Sequence, residues 1–101
     1  MNRTDKLLHV ATQLPGFFGY RPYFDGEETH IKEITFHLED KVEGEPVRYI
    51  MTLFIEEEFC VDSLIDVRYN DGSIVTIDDE DEDFDEIVKH KRTVMNALNK
   101  M

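Results

Sequence analysis

The chain has 101 residues, 41% of them hydrophobic, so it is long enough to bury the core of one domain, and its single cysteine excludes a disulfide framework. Its 23 acidic and 11 basic side chains give a formal net charge of −12. Because a polyanion needs Lys and Arg to replace its counterions, this charge disfavours direct binding to nucleic acid or anionic membranes and favours a basic protein surface as partner.

The first predicted element is a short amphipathic helix that begins at an N-cap, Thr4, and ends at Pro15 and Gly16. Its apolar stripe has helical spacing and consists of Leu7, Val10, Ala11 and Leu14. This N-terminal segment lacks the apolar run of a signal peptide, and no stretch of the chain approaches the length of a membrane span. We therefore expect a protein of the reducing cytoplasm that does not enter a membrane.

The segment from Gly16 to Gly26 combines five aromatic residues with three glycines and one proline. Glycine and proline argue against regular structure, so an irregular loop is predicted. The rings either cover the open end of a sheet, or Tyr20, Arg21 and Tyr23 form a hot spot for a partner, because Tyr and Arg are enriched in hot spots. Both interpretations hold if the phenylalanines face inward and the other three residues face outward.

Alternating apolar and polar residues predict four strands of an antiparallel meander. The central strand is apolar on one face and mixed on the other, as expected for the middle of a sheet. Gly44 and Pro46 mark the turn into it, and the segment from Asn70 to Gly72 marks a tight hairpin later in the chain. The predicted strands are Ile31–Asp40, Val47–Ile55, Val61–Tyr69 and Ser73–Ile77.

An acidic run leads into the second predicted helix, since eight of the nine residues from Asp78 to Glu86 are acidic. Asp83 and Glu86 have the spacing of a capping box, and negative charge is favoured at a helix N-terminus. The apolar stripe of this helix includes one polar residue, Lys91, whose stem is long enough to lie along it. The stripe consists of Phe84, Ile87, Val88, Lys91, Val94, Met95 and Leu98.

This order of elements predicts an α+β two-layer domain (αββββα) with an N-terminal helix, a four-stranded antiparallel meander and a C-terminal helix, both helices lying on one sheet face. The second and fourth strands of a meander run toward the same edge of the sheet. We therefore expect the glutamates at positions 56–58 to meet the acidic run there. The second sheet face, with His37, Arg48, Thr52 and Phe54, is left for solvent or for another copy of the chain.

The sequence contains no recognisable catalytic, metal or nucleotide motif. The acidic run lacks the glycine and the spaced glutamate of an EF-hand loop, and no pair of histidines has a ligand-like spacing within one element. Cys60 has no neighbouring histidine or glycine-rich turn that would activate it. We expect no cofactor and no enzymatic activity; an enzyme would require a deep cleft in which His37 faces a carboxylate.

These patterns favour a small acidic inhibitor or antagonist that covers a basic surface of a partner protein. Alternate carboxylates on a strand stand roughly 6.6 Å apart, comparable to the phosphate spacing along one DNA strand, so a nucleic-acid-binding partner is geometrically reasonable. The predicted partner-binding residues are Glu56, Glu57, Glu58, Asp78, Asp79, Glu80, Asp81, Glu82, Asp83, Asp85, Tyr20, Arg21 and Tyr23.

Two other functions remain open from the sequence. One is an adaptor or secretion-chaperone-like homodimer that uses the second sheet face, and the other is an enzyme without a recognisable motif. At the level of fold alone, the order of elements and the acidic surface resemble small bacterial and phage inhibitor or immunity proteins, and also secretion chaperones.

Overall fold

The computed structural model describes residues 2–100, apart from the side chain of Glu82. Within these residues, two helices flank one antiparallel sheet whose strands lie in chain order. The elements are α1 (Arg3–Gln13), β1 (Phe17–Asp25), β2 (Glu28–Val42), β3 (Glu45–Glu56), β4 (Phe59–Tyr69), β5 (Ile74–Ile77) and α2 (Asp85–Asn99). The predicted α+β architecture is confirmed, but the meander has five strands where four were predicted.

The additional strand is β1, which occupies the segment predicted to be an irregular loop. Aromatic residues favour extended backbone, and an edge strand tolerates Gly19 and Pro22 because its outer groups need no ladder partner. The register against β2 shifts between Phe17 and Gly19 and again before Pro22. The condition that the phenylalanines face inward is not met by two of them, since Phe18 and Phe24 are 67% and 74% exposed.

The core lies between the two helices and one face of the sheet. β1 and β2 pack against α1, β3 and β4 pack against α2, and the two helices contact each other. The predicted central strand, β3, buries alternate residues on this side. The fully buried side chains are Leu7, Ala11, Ile34, Phe36, Met51, Leu53, Val67, Val94 and Leu98.

The opposite side of the sheet, here called the open face, carries the alternate residues of each strand. Cross-strand partners point to the same side, so the register defines four rows across the sheet. Row A is Glu39, Arg48, Arg68 and Ile74; row B is His37, Ile50, Asp66 and Thr76; row C is Gly19, Thr35, Thr52 and Leu64; row D is Arg21, Glu33, Phe54 and Asp62. Phe18 lies in the register shift of β1 and has no partner in β2, but its ring stacks on His37 of row B.

Both predicted turns lie where the sequence placed them, although the connection from β4 to β5, residues 70–73, is longer than a two-residue hairpin. Glu43 and Gly44 join β2 to β3 with positive φ angles of 52° and 82°, as a two-residue type I′ hairpin requires. The turn from β4 to β5 is held by the Asp71 carboxylate, which accepts hydrogen bonds from the backbone and hydroxyl of Ser73. Gly72 supplies the positive φ angle of that turn.

The starts of both helices differ from the prediction. The N-cap of α1 is Asn2, whose side chain accepts a hydrogen bond from the backbone of Asp5, and not Thr4. Helix α2 begins at Asp85, after a 3₁₀ turn at Glu82–Phe84, and its N-cap residue makes no side-chain capping bond. The predicted capping box is therefore wrong. The apolar stripe of α2 is confirmed, and Lys91 within it is only 5% exposed.

The C-terminal end of α2 closes part of the edge of β4 that the short β5 leaves uncovered. The side chain of Asn99 accepts a hydrogen bond of 2.8 Å from the backbone N–H of Cys60 and donates one of 3.0 Å to its carbonyl. One amide group thus replaces the pairing that a longer neighbouring strand would give. Cys60 is buried, and this burial raises the pKa of its thiol to about 11.

Candidate functional site

The glutamates 56–58 and the last part of the acidic run, residues 83–86, lie at opposite ends of the sheet. In this meander the turns after β1 and β3 share one end, and the turns after β2 and β4 share the other. The glutamates 56–58 surround the turn after β3, whereas the start of α2 lies beside Glu43 and Glu45 in the turn after β2. The molecule is 47 Å along its longest axis. The prediction that the two stretches meet along one edge is therefore wrong.

Glu58 is largely occupied by contacts inside the chain. One carboxylate oxygen lies 2.7 Å from the Nδ1 of His30, and the other accepts a hydrogen bond from the hydroxyl of Thr4. The backbone carbonyl of Glu58 accepts a hydrogen bond of 3.0 Å from the Nε of Arg3. Glu58 therefore joins the N-terminus of α1 to the first hairpin, while Glu56 and Glu57 remain exposed.

The contact between His30 and Glu58 shifts the pKa values of both groups. The hydrogen bond to Glu58, with the charges of Glu58 and Glu28, outweighs desolvation and raises the pKa of His30 above 6.5. Burial pushes the pKa of Glu58 upward, but the hydrogen bonds from His30 and Thr4 and the nearby positive charges outweigh it, so that pKa lies below 4.5. Both groups are therefore charged in the pH range between the lowered pKa of Glu58 and the raised pKa of His30.

A His30→Gln substitution is expected to destabilise the protein most between about pH 4.5 and 6.5. The contribution of His30 is complete below its unfolded pKa and is lost as the pH rises through its higher folded pKa; that of Glu58 is lost as the pH falls through its lowered pKa. Urea denaturation of both proteins across this range measures the difference, which should shrink as the pH rises through the raised pKa of His30.

The matched control is His9→Gln, because His9 is exposed on α1. Its difference from the original protein should stay small. A loss of stability in His30→Gln that does not change with pH would contradict the charged pair.

The three residues predicted as a hot spot are separated by the strand that carries them. Tyr20 lines a cavity of about 660 Å³ beside the N-terminus of α1, together with His30 and Glu58. Tyr23 stacks on His30 with ring centroids 5.1 Å apart. Arg21 is on the open face and lies 3.8 Å from Glu33. The two tyrosines therefore belong to the Glu58 end of the molecule, and the arginine does not join them.

The first part of the acidic run follows β5 from the middle of the sheet. Asp79 accepts a hydrogen bond from the ammonium of Lys91 and lies 3.8 Å from the guanidinium of Arg92. The bond from Lys91 lowers the pKa of Asp79 below 3.8. Asp78 accepts a hydrogen bond from the backbone of Glu80, which is exposed, and Asp81 is half-buried. The side chain of Glu82 lies outside the described part of the structure.

The second part of the run contributes to a cavity of about 610 Å³, here called the acidic cavity. It lies between the start of α2 and the turn after β2, and six carboxylates and one cation line it. The carboxylates are Asp40, Glu43, Glu45, Asp83, Asp85 and Glu86, and the cation is Lys41. Of the predicted partner-binding residues, the cavity brings together Asp83 and Asp85.

Aromatic side chains form the wall of the acidic cavity. Tyr49 and Phe84 meet edge to face with centroids 6.4 Å apart, and Tyr69 lies beside them. The hydroxyl of Tyr49 donates a hydrogen bond of 3.3 Å to Asp40. Burial, followed by the Asp40 charge, raises the pKa of Tyr49 to about 12. Carboxylates beside aromatic rings are the environment that a Lys or Arg side chain prefers.

Sequence reasoning missed Asp40, Glu43 and Glu45 as site residues, together with the two tyrosines of the wall. The available signal was the predicted length of the fourth strand, which is about half that of its neighbour. A short last strand ends in the middle of the sheet, so the chain after it cannot reach the edge where the glutamates 56–58 lie.

Residues 2–100 contain neither a membrane-spanning helix nor a cluster of metal ligands. No helix in this range is long and apolar enough to cross a membrane. No group of three or more His, Cys, Asp or Glu side chains among the described residues could hold a metal ion. The ring of His37 stacks on Phe18 at a centroid distance of 3.9 Å.

Comparisons with protein-family models, with curated proteins and with solved structures give no match to this chain.

Proposed function

We propose that the protein is a non-enzymatic binding module, an acidic inhibitor or antagonist that covers a basic surface of a partner protein. The observation that carries this proposal is the acidic cavity, which is lined by six carboxylates and three aromatic residues but only one lysine. Docking begins there, with the first turn of α2 on one side and the hairpin turn Glu43–Gly44 on the other. The exposed carboxylates elsewhere on the chain add long-range attraction.

The chemistry of the cavity supports a Lys or Arg side chain as the anchor from the partner. A guanidinium or ammonium there gains hydrogen bonds to carboxylates and contact with the ring of Tyr69, which is half-buried, whereas Tyr49 and Phe84 are buried. Arg and aromatic residues are frequent hot spots, so one inserted side chain contributes a large share of the affinity. The net charge of −12 accelerates the encounter at low salt.

The partner in this proposal is a protein that itself binds nucleic acid. Surfaces that bind nucleic acid carry clustered Lys and Arg, which are the groups that the acidic cavity and its surroundings accept. The cavity offers its carboxylates in two short series. One consists of Asp83, Asp85 and Glu86 at the start of α2, and the other consists of Glu43 and Glu45 on the opposite side. Binding here excludes nucleic acid from the same basic surface.

Capture from a nuclease-treated cell lysate tests the proposal. The immobilised protein should retain basic proteins at low salt and lose most of them at physiological ionic strength or above. A cavity variant with Glu43→Gln, Glu45→Gln, Asp83→Asn and Asp85→Asn should lose them at low salt as well. Double-stranded DNA added in excess should displace the bound partner.

The matched control neutralises four exposed carboxylates at the other end of the sheet, with Asp25→Asn, Glu27→Gln, Glu56→Gln and Glu57→Gln. Its net charge equals that of the cavity variant, so it should retain most of the capture. Equal losses in both variants would show that only total charge matters. Retention of neutral or acidic proteins regardless of salt would contradict the proposed function itself.

A further inference from the structure

The open face differs in charge from the rest of the molecule. Its four rows contain three arginines and four carboxylates, whereas the whole chain has 11 basic and 23 acidic side chains. A second acidic copy is repelled by most of the surface, but it can approach this face with little net repulsion. The face also exposes apolar side chains, of which Phe18, Leu64 and Ile74 are the largest exposed ones.

The pattern on the open face is complementary to itself under a two-fold rotation. The residues Phe17, Phe36, Met51 and Ile65 are cross-strand partners in one line across the sheet, and they separate rows A and B from rows C and D. A two-fold axis that runs above this line and along it, across the strands, lays row A over row D of the second copy and row B over row C. The same strands then stack on each other.

The charged residues of rows A and D favour this arrangement. Arg68 and Asp62 lie on β4 at equal distances on either side of the axis, so each faces the other in the second copy. Among the described residues, neither forms an ion pair within its own chain. Arg48 faces Phe54 of the second copy, which allows a cation–π contact. The two acidic residues brought together, Glu39 and Glu33, are each paired with an arginine of their own chain.

The uncharged residues of rows B and C fit as projections into gaps. The ring of Phe18 is stacked on His37 and therefore lies over row B, so it faces row C of the second copy, in which a Cβ atom at Gly19 would find no neighbour within 4 Å. Ile50 meets Thr52 in the same way, close to the axis. Burial, followed by the charges of Arg48 and Arg68, lowers the pKa of His37 below 6.5, so the ring beneath Phe18 enters the interface uncharged at neutral pH.

The size of the face is sufficient for a specific interface. Five strands at about 4.8 Å spacing and four rows about 6.8 Å apart span roughly 20 by 25 Å, or roughly 500 Å² on each copy. Two copies therefore bury roughly 1,000 Å² of flat area, which is the lower bound for a specific contact. Projecting side chains add to this area. Aligned packing of two sheets is a common geometry for such faces.

We propose that two copies of this chain dimerise through their open faces, with Arg68 of each copy paired to Asp62 of the other. This interface is separate from the acidic cavity, so the dimer presents two cavities for basic partners. Its apolar contacts persist at salt concentrations that weaken capture of a basic partner, so the failure of one proposal is distinguishable from the failure of the other.

Analytical ultracentrifugation of the full chain and two charge-reversal variants tests the dimer. The unmodified chain should sediment at twice its monomer mass of 11.9 kDa. Arg68→Glu alone and Asp62→Arg alone each oppose like charges twice in a homodimer, so both variants should be monomeric. A one-to-one mixture of the two variants pairs opposite charges at both contacts and should recover the dimer, as should the chain that carries both substitutions.

The controls Lys89→Glu and Glu27→Arg change charge by the same amounts at exposed positions outside the open face, and they should remain dimeric. Circular dichroism should give native spectra for all variants. The proposal is overturned if the unmodified chain is monomeric at high concentration or if the single variants stay dimeric. It is equally overturned if the mixture and the doubly substituted chain fail to dimerise while both single variants are folded monomers.

Discussion

A Phe36→Ala substitution is expected to lower the free energy of unfolding by about 3–5 kcal/mol. Phe36 is fully buried in the middle of β2, and the ring of Phe17 packs edge to face on it with centroids 6.0 Å apart. Removing the ring loses its transfer free energy and leaves a cavity that the surrounding strands cannot fill. Because a domain of this size is stable by about 5–15 kcal/mol, urea denaturation should give a much lower midpoint.

Phe24→Ala is the matched control for this change, because the same side chain is removed from an exposed position on β1. It should shift the free energy of unfolding by no more than about 0.5 kcal/mol. Similar losses for the two substitutions would contradict the burial of Phe36 and the position of the core between the helices and the sheet.

Asp79→Asn and Lys91→Met are expected to have opposite effects, although they remove the two partners of one ion pair. Asp79→Asn leaves the buried ammonium of Lys91 without its carboxylate and should destabilise the protein by about 1–3 kcal/mol, less than for a fully buried pair because Asp79 is half-exposed. Lys91→Met continues the apolar stripe of α2 and returns Asp79 to water, so stability should be unchanged or increased.

Thermal and urea denaturation at neutral pH measure both effects. Arg92→Met provides the control, because Arg92 also lies near Asp79 but is exposed, and its loss should change stability by about 0.5 kcal/mol or less. Since the pKa of Asp79 lies below 3.8, the difference between the original protein and Asp79→Asn should disappear as the pH falls through that lowered value. A Lys91→Met variant less stable than Asp79→Asn would contradict this assignment.

The core strand and the second helix could be predicted from the sequence because a single physical rule determines each of them. Alternation over Val47–Ile55 leaves one register that buries an apolar face, and the structure buries that face. The stripe of α2 likewise leaves one side that can pack on the sheet. Even the inclusion of Lys91 follows, since its stem is apolar and its ammonium reaches Asp79.

The first strand could not be predicted in the same way because two rules conflict in it. Gly19 and Pro22 disfavour a strand, while the aromatic residues around them favour one. The conflict is resolved by tertiary structure, since β1 lies at the edge of the sheet and its register against β2 shifts at both positions. Local sequence does not reveal which strand is at an edge.

The acidic cavity depends on an arrangement that no local pattern encodes. The turn Glu43–Gly44 and the start of α2 are about forty residues apart in sequence and meet because β5 pairs only with residues 65–68 of β4. If β5 were as long as β4, it would have carried the acidic run toward Glu56 and Glu57. The location of the carboxylates therefore follows from the length of one strand.

The hydrogen bonds between Asn99 and Cys60 also have a consequence for storage and ageing of the protein. An amide both donates and accepts, whereas an aspartate formed by deamidation only accepts, so its oxygen would face the Cys60 carbonyl without a proton between them. The uncovered edge of β4 would then expose unpaired backbone groups that can pair with other molecules, and such exposed edges promote aggregation. A single altered side chain near the C-terminus would thereby limit shelf life.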